Sequence, residues 1–140
     1  MYANDLILNL VNADTKALFD INQLHETKKL FKKMPHQKVK YKELIAGTKN
    51  FDNKLGEIYV VDNVIHTIIA SNPKKFDMNF KALKTALIKI KKYCTHHNIK
   101  QINMSYDLIH DDEKIFTDIC DIATDIFDDN KITLNMCLVF

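Results

Sequence analysis

Residues 56–71 read GEIYVVDNVIHTIIAS, a sequence that predicts a β-hairpin. Ile58–Val61 and Val64–Ala70 are rich in β-branched residues, which favour strands, and Asp62–Asn63 between them are typical turn residues. The hairpin is followed by a loop around Pro73. The chain therefore enters its C-terminal half through two antiparallel strands.

A long helix is predicted from residue 79 to about residue 97. Its apolar positions are three and four residues apart, which is the spacing of a helix with one buried face. They are Phe80, Leu83, Leu87, Ile90 and Cys94. A second helix is predicted from Asp111 or Asp112 onward, because the acidic residues there favour the positive end of a helix. Its apolar face carries Ile115, Ile119, Ile122 and Ile126.

Strands are predicted at residues 5–11, 99–104 and 132–140. The last is almost continuously apolar, which indicates a central place in the sheet. Residues 22–34 predict a helix with Asn22 as its N-cap, and residues 36–54 predict a short helix and a loop. Helices alternating with strands predict an α/β fold, a three-layer α/β/α sandwich with a mixed central sheet. The length of 140 residues suits a single domain, 1–140.

Composition restricts the class of protein. No membrane span or signal peptide is predicted, and Cys94, Cys120 and Cys137 are isolated in apolar surroundings. We expect reduced core cysteines in a cytoplasmic protein, and no metal site, because no histidine or cysteine pair has zinc spacing. The bias to Lys, Asn and Ile without Arg or Trp is typical of AT-rich genomes, such as those of phages and low-GC bacteria. A viral or phage protein would then lie in the host cytoplasm.

The net charge of +2 conceals an asymmetry between the two parts of the chain. Residues 1–100 carry eighteen lysines and nine acidic residues, whereas residues 101–140 carry two lysines and nine acidic residues. The lysines could form a non-specific nucleic-acid surface, but they also suit solvated helix faces. The absence of Arg disfavours specific base recognition, so no specific nucleic acid is expected as a partner.

Several segments resemble the second half of macro domains, with the closest likeness to the branch that contains terminal ADP-ribose protein glycohydrolase. They are GEIYVV, VIHTIIAS, FKALKTALIKIKKYC, IKQINMS, IFTDICDIATDIF and KITLNMCLV. LVNAD at residues 10–14 also resembles the start of macro domains, and LFKKMP at residues 30–35 resembles a helix end in that branch. The resemblance implies an α/β/α domain that binds ADP-ribose.

The resemblance also implies where ligand contacts would lie. Asp5 corresponds to the acid that reads adenine. Asn12 would bind ribose hydroxyls, although an asparagine at a strand end can equally hydrogen-bond a turn. A loop around the distal phosphate would span Tyr106–Asp111 (YDLIHD), which places Asp107 and His110 at the ligand.

The family's catalytic pair is a lysine after the hairpin and an aspartate near the second loop. The lysine position falls at Ser71 or Asn72, with Lys74 and Lys75 displaced by a few residues. The aspartate position falls at Asp112. A lysine amine can form a Schiff base with an opened ribose while the carboxylate transfers protons. An acidic helix start explains Asp112 without any such role.

The scarcity of glycine bears on activity. The chain has only Gly47 and Gly56, where average usage of about 7% would give about ten. Neither falls in the predicted loops near residues 19–22 and 106–111, although backbone amides approach a pyrophosphate best at glycine. We therefore expect a diverged, non-catalytic macro-like domain with degenerate ligand loops.

Three functions follow from these observations. The first is weak binding of an ADP-ribose-type nucleotide or a protein-interaction role, without a cofactor and without a membrane partner. The second is an active hydrolase or deacylase that uses Asp112 with Lys74 or Lys75 on ADP-ribosylated protein or O-acyl-ADP-ribose. The third is non-specific nucleic-acid binding through the lysines.

Overall fold

The computed structural model describes residues 6–13, 23–72, 74–129 and 131–139. Five strands and four α-helices are described, with a 3-10 helix at Phe51–Lys54. In chain order they are β1 (Leu6–Asn12), α1 (His25–Lys33), α2 (Pro35–Leu44), β2 (Ile58–Val61), β3 (Val64–Ala70), α3 (Phe80–His96), β4 (Gln101–Asp107), α4 (Glu113–Ile126) and β5 (Thr133–Val139). The predicted hairpin is confirmed with the predicted strand boundaries.

The strands form one mixed sheet in the order β2-β3-β1-β4-β5. β2 is antiparallel to β3, and the remaining neighbours pair in parallel. The prediction that the last strand is central is wrong, because β5 lies at the edge. Its alternate residues Thr133, Asn135 and Cys137 are exposed, so only one face of this strand is covered. Cys137 is therefore not a core cysteine, whereas Cys94 is fully buried and Cys120 is half-buried.

The helices cover the two faces of the sheet. α3 and α4 pack with the apolar side of β1 and β4, in a core that includes Leu8, Leu83, Leu87 and Met104. A second core beneath α1 and α2 joins Val11, Phe31, Tyr41, Ile45 and Ile68. The predicted α/β/α sandwich is confirmed.

The stripe on α3 is buried except at its start. Leu83, Leu87, Ile90 and Cys94 are fully buried, whereas Phe80 is 51% exposed. The prediction that Phe80 belongs to the core is thus wrong. Phe80 is the first helical residue after the N-cap Asn79, whose side chain accepts a hydrogen bond from the Ala82 amide. At the N-terminal end of α3, the apolar stripe therefore extends beyond the part of the protein that packs against it.

Polar residues on β1, β3, α1 and α2 form a buried network beneath the second core. Asn9 Nδ2 donates to His66 Nδ1 over 3.0 Å, and the other ring nitrogen, Nε2, lies 2.8 Å from Gln37 Oε1. Thr27 Oγ1 donates to Asn9 Oδ1, and Gln37 Nε2 donates to the carbonyl oxygen of Val61. Since an amide nitrogen only donates, Nδ1 accepts and Nε2 carries the proton. The network therefore holds His66 neutral, and burial lowers its pKa to about 4.

Gly56 enters the hairpin with a φ of +87°, and its amide donates to the carbonyl oxygen of Ile68. A Cβ placed there would lie 3.1 Å from Thr85 Cγ2 on α3. Glycine is favoured here because other residues are strained in the left-handed backbone, and a Cβ would also require Thr85 to shift by a few tenths of an ångström.

Among the described helices, none is long and apolar enough to cross a membrane.

Candidate functional site

The order of the strands locates a crevice in the sheet. After β1 the chain runs through α1 and α2 to β2 and β3 on one side, and then through α3 to β4 on the other side. Ligands of open α/β sheets bind outside the carboxyl ends of the strands at such a reversal of strand order. The candidate site is therefore the gap between the carboxyl ends of β1 and β4.

β1 and β4 pair only near their starts, at Leu6 with Ile102 and at Ile7 with Asn103. Beyond these pairs a crevice of about 290 Å³ opens under α1. Residues that line it include Asn9, Leu10, Leu24, Lys29, Tyr106 and Asp111. Its volume is near the lower limit of about 300 Å³ for small-molecule pockets.

The loop that follows β4 has its backbone amides committed within the protein. The Leu108 amide donates to the carbonyl oxygen of Val139 over 2.9 Å, and the Asp111 amide donates to the carbonyl oxygen of Asp107 over 3.0 Å. The amides of Ile109 and His110 both donate to Asp107 Oδ1, over 2.8 and 3.1 Å. Four consecutive amides, from residue 108 to residue 111, therefore already have acceptors.

Asp107 is the buried acidic residue of this loop, with only 1% of its surface exposed. Several donor groups surround its carboxylate. Its Oδ2 lies 2.9 Å from His110 Nδ1, 3.6 Å from His25 Nε2 and 4.0 Å from Lys29 Nζ. Burial acts to raise the pKa of Asp107, but the His110 side chain and the amides of Ile109 and His110 hold this pKa below its ordinary value. Asp107 is thus a buried carboxylate anion surrounded by donors.

Contacts join the same loop to the start of α1, across the mouth of the crevice. The His25 amide donates to Asp111 Oδ2 over 2.8 Å, so a carboxylate from the loop caps α1. Burial raises the pKa of Asp111 above its usual value, although this amide bond acts in the opposite direction. The rings of His25 and His110 stack with centroids 4.0 Å apart and planes 8° apart. These contacts hold the loop after β4 against the start of α1, next to the crevice.

Comparison with solved structures identifies the fold. The macrodomain of Mycobacterium tuberculosis DarG matches over 97% of this chain and 90% of its own, with a TM-score of 0.73 at 11% identity. The chain has a macrodomain fold. The macrodomain of Thermus aquaticus DarG matches with the same coverage, a TM-score of 0.72 and 7% identity.

A third structure, Thermosipho africanus DarTG in complex with ADP-ribose, matches over 97% of this chain and 38% of its own, with a TM-score of 0.68 at 11% identity. No protein-family model matches the sequence, and a search of curated proteins finds no match. The structural matches confirm the predicted macro-domain architecture at the level of the fold. The assignment of this chain to the branch of terminal ADP-ribose protein glycohydrolase stays a prediction.

Within this macrodomain fold, Asn12 has structural partners. Its side chain donates to the carbonyl oxygen of Asn72 over 2.6 Å, which ties the end of β1 to the segment after β3. Its own backbone amide and carbonyl bond the Gln23 side chain over 2.9 and 3.0 Å. Asn12 is fully buried, so this geometry favours the turn-bonding alternative over ribose binding.

Ser71 and Asn72, the residues after the hairpin that we also expect to contact the ligand, bond to the protein. Ser71 Oγ donates to Asp52 Oδ1, and Asn72 Oδ1 accepts the amide of Lys74. Both residues line an open depression next to Asp77 and Asn79. Asp5 and the predicted first loop at residues 19–22 lie outside the described residues.

The predicted catalytic residues stand on separate segments of the macrodomain fold. Asp112 is the N-cap of α4, where its Oδ1 accepts the Lys114 amide over 2.8 Å. Lys74 and Lys75 are exposed in the segment after β3. Within the described ranges, neither lysine forms an ion pair with Asp112. Because β1 lies between β3 and β4, and β1 and β4 pair only near their starts, the carboxyl ends of β3 and β4 are more than about 10 Å apart.

The sequence prediction missed His25. It lies 82 residues before Asp107, and only the packing of the α1 start against the loop after β4 brings them together. The Asp107–His110 pair could have been found as two polar residues three positions apart in a predicted loop. Nothing in the local sequence identifies His25 as their neighbour.

The lysines are divided between opposite layers of the macrodomain fold. Lys28, Lys29, Lys32 and Lys33 belong to α1, whereas α3 on the other face of the sheet carries a separate group. In that group Lys89 pairs with Glu57 and Lys91 with Asp129. Solvated helix faces suit this distribution, and non-specific nucleic-acid binding through the lysines stays a prediction.

Proposed function

We propose that this chain is a macro-like module that binds an ADP-ribose-type nucleotide weakly at the crevice between β1 and β4, and that it is not a catalyst. The fold supports the class of ligand, since a neighbour of the same fold has been solved in complex with ADP-ribose. The geometry of the loop after β4 supports weak binding of that nucleotide. The branch assignment and the cytoplasmic location remain part of this proposal.

The observation that carries the proposal is the occupation of the loop amides by Asp107. A phosphate would be bound by backbone amides that converge on it, as in an anion-binding nest. Here the Asp107 carboxylate takes two of those amides, and neighbouring carbonyl oxygens take two more. A nucleotide phosphate must therefore displace an internal anion and also approach its negative charge. Both effects weaken binding.

Asp107→Ala tests the proposal, because it frees the Ile109 and His110 amides and removes the charge. A hydrogen bond to a charged group contributes about 1.5–3 kcal/mol, so we expect ADP-ribose to bind at least about tenfold more tightly. Asp107→Asn keeps an acceptor at Oδ1 and removes only the charge, so its affinity should lie between those of Asp107→Ala and the wild type. The measurement is calorimetric titration in EDTA.

Asp129→Ala is the matched control. Asp129 is also a carboxylate with a lowered pKa, held by Lys91 and the Lys131 amide, but it lies away from the crevice. We expect no change in affinity for this variant. If folded Asp107→Ala binds ADP-ribose no better than the wild type, the internal anion is not what limits binding. Absence of binding in every variant would favour the protein-interaction role instead.

We expect no release of ADP-ribose from a glutamate-modified protein by the wild type. The physical reason is that Lys74, Lys75 and Asp112 stand on separate segments, and Asp112 already caps α4. Asp112→Ala should lower the free energy of unfolding by only about 0.5–2 kcal/mol, as for other N-caps. An assay of released ADP-ribose checks the prediction. Turnover by the wild type that disappears in Asp112→Ala would establish the enzyme and contradict our proposal.

A further inference from the structure

Asp107 holds the loop amides through Oδ1, and its second oxygen, Oδ2, lies beside His25 and His110, two side chains to which the proposed function gives no role. One donor atom from each residue lies within 4.8 Å of the other two. Asp107 Oδ2 is the shared centre, at 2.9 Å from His110 Nδ1 and 3.6 Å from His25 Nε2. We propose that these three residues form a binding site for a divalent transition-metal ion, with zinc as the first choice, and this inference goes beyond nucleotide binding.

The distances suit such an ion. Zinc bonds to imidazole nitrogen and to carboxylate oxygen are about 2.0–2.2 Å, so two ligands in a tetrahedral site lie about 3.3 Å apart. The two observed separations from Oδ2, 2.9 and 3.6 Å, lie on either side of that value. All three donor atoms lie within 4.8 Å of one another, so rotation of the two imidazole rings is needed to bring both nitrogens to bonding distance from an ion beside Oδ2.

The surroundings of the cluster hold its ligands in place. Asp107 Oδ1 accepts the amides of Ile109 and His110, which leaves Oδ2 directed at the two rings. Ligating carboxylates are commonly oriented by such outer hydrogen bonds. Stacking keeps the His25 and His110 rings together, and binding of an ion requires the nearly parallel rings to rotate until the lone pairs of both nitrogens point at it. Asp107 is buried while His25 and His110 are 29% and 54% exposed, so an ion has access from solvent.

The donor set favours a borderline metal. Two imidazoles with one carboxylate suit zinc, cobalt, nickel or iron, whereas magnesium and calcium prefer oxygen ligands. Three protein ligands also leave a fourth position open, as in zinc sites that bind water or another ligand. Zinc should therefore bind more tightly than magnesium or calcium.

Among the described lysines, Lys29 is the one within ion-pair distance of Asp107 Oδ2. It therefore competes with a metal ion for that oxygen. Its Nζ lies 4.0 Å from Asp107 Oδ2 and 3.2 Å from Glu26 Oε1, and its side chain is 51% exposed. Lys29 can therefore move to solvent when an ion binds. Because this movement costs free energy, Lys29→Met should tighten metal binding.

Calorimetric titration of ZnCl₂ into the EDTA-treated, dialysed full chain tests the site. We expect one equivalent of zinc with a Kd at or below about 10 µM, and no binding of magnesium at the same concentrations. His25→Ala and His110→Ala should each raise the Kd at least tenfold, and Lys29→Met should lower it. His96→Ala removes an exposed histidine from the end of α3 and should leave the Kd unchanged.

Two results would overturn the site. One is the absence of a stoichiometric zinc equivalent in the wild type. The other is zinc binding that His25→Ala and His110→Ala leave unchanged while both variants remain folded by circular dichroism. The titration contains no nucleotide, so its failure is distinguishable from failure of the proposed nucleotide binding.

Discussion

Leu87→Ala is expected to lower the free energy of unfolding by about 2–5 kcal/mol, the range for a buried leucine whose removal leaves a cavity. Leu87 is fully buried in the core between α3 and the sheet, together with Leu83, Ile90 and Ile65. The sheet and the helix are both fixed by other contacts, so the structure can collapse only partly around the lost side chain. Urea unfolding at pH 7 measures the effect.

Ile88 on the same helix provides the matched control. Its side chain is 38% exposed, so Ile88→Ala changes the same helix with little loss of packing. We expect Ile88→Ala to cost clearly less than Leu87→Ala. A loss below about 1 kcal/mol for Leu87→Ala would show that α3 is peripheral and that the assigned architecture is incorrect.

Acidification is expected to remove about 3 kcal/mol of stability through His66. In the folded protein the pKa of His66 is about 4, against 6.5 for an ordinary histidine, and desolvation by burial is the cause. Between these values the unfolded chain binds a proton that the folded protein does not bind. Stability from neutral His66 is therefore complete above about pH 6.5 and falls as pH is lowered towards about 4.

Urea unfolding at pH 7.0, 6.0, 5.0 and 4.5 measures this dependence. Each pH unit inside the window corresponds to about 1.4 kcal/mol for one proton. His66→Gln keeps one donor and one acceptor and cannot titrate, so its stability should change less between pH 7 and pH 4.5 than that of the wild type. Identical pH dependence of the two proteins would contradict the assignment of His66 as a buried neutral residue.

Local sequence patterns predicted the elements well because each pattern had one dominant physical cause. The β-branched strands around Asp62–Asn63 specify the hairpin, and the spacing from Leu83 to Cys94 specifies the buried face of α3. The position of β5 was missed because its apolar residues masked the alternation of Thr133, Asn135 and Cys137. An apolar strand of this kind does not reveal how many neighbours it has.

The candidate site was predicted less completely, because it depends on contacts between distant segments. The resemblance placed Asp107 and His110 in the ligand loop, and the lack of glycine in YDLIHD predicted a poor phosphate site. The sequence did not show that Asp107 itself accepts the loop amides. It also gave no sign that the start of α1 brings His25 to the same carboxylate, since this depends on the packing of α1 over the crevice.

The internal carboxylate of Asp107 occupies amides that would otherwise bind a nucleotide phosphate, and we claim that this makes nucleotide binding weak. Calorimetric titration of ADP-ribose into the metal-free wild-type protein measures the consequence. We predict a Kd of at least about 100 µM, which corresponds to at most about 5.5 kcal/mol of binding free energy. A Kd in the low micromolar range would contradict the claim.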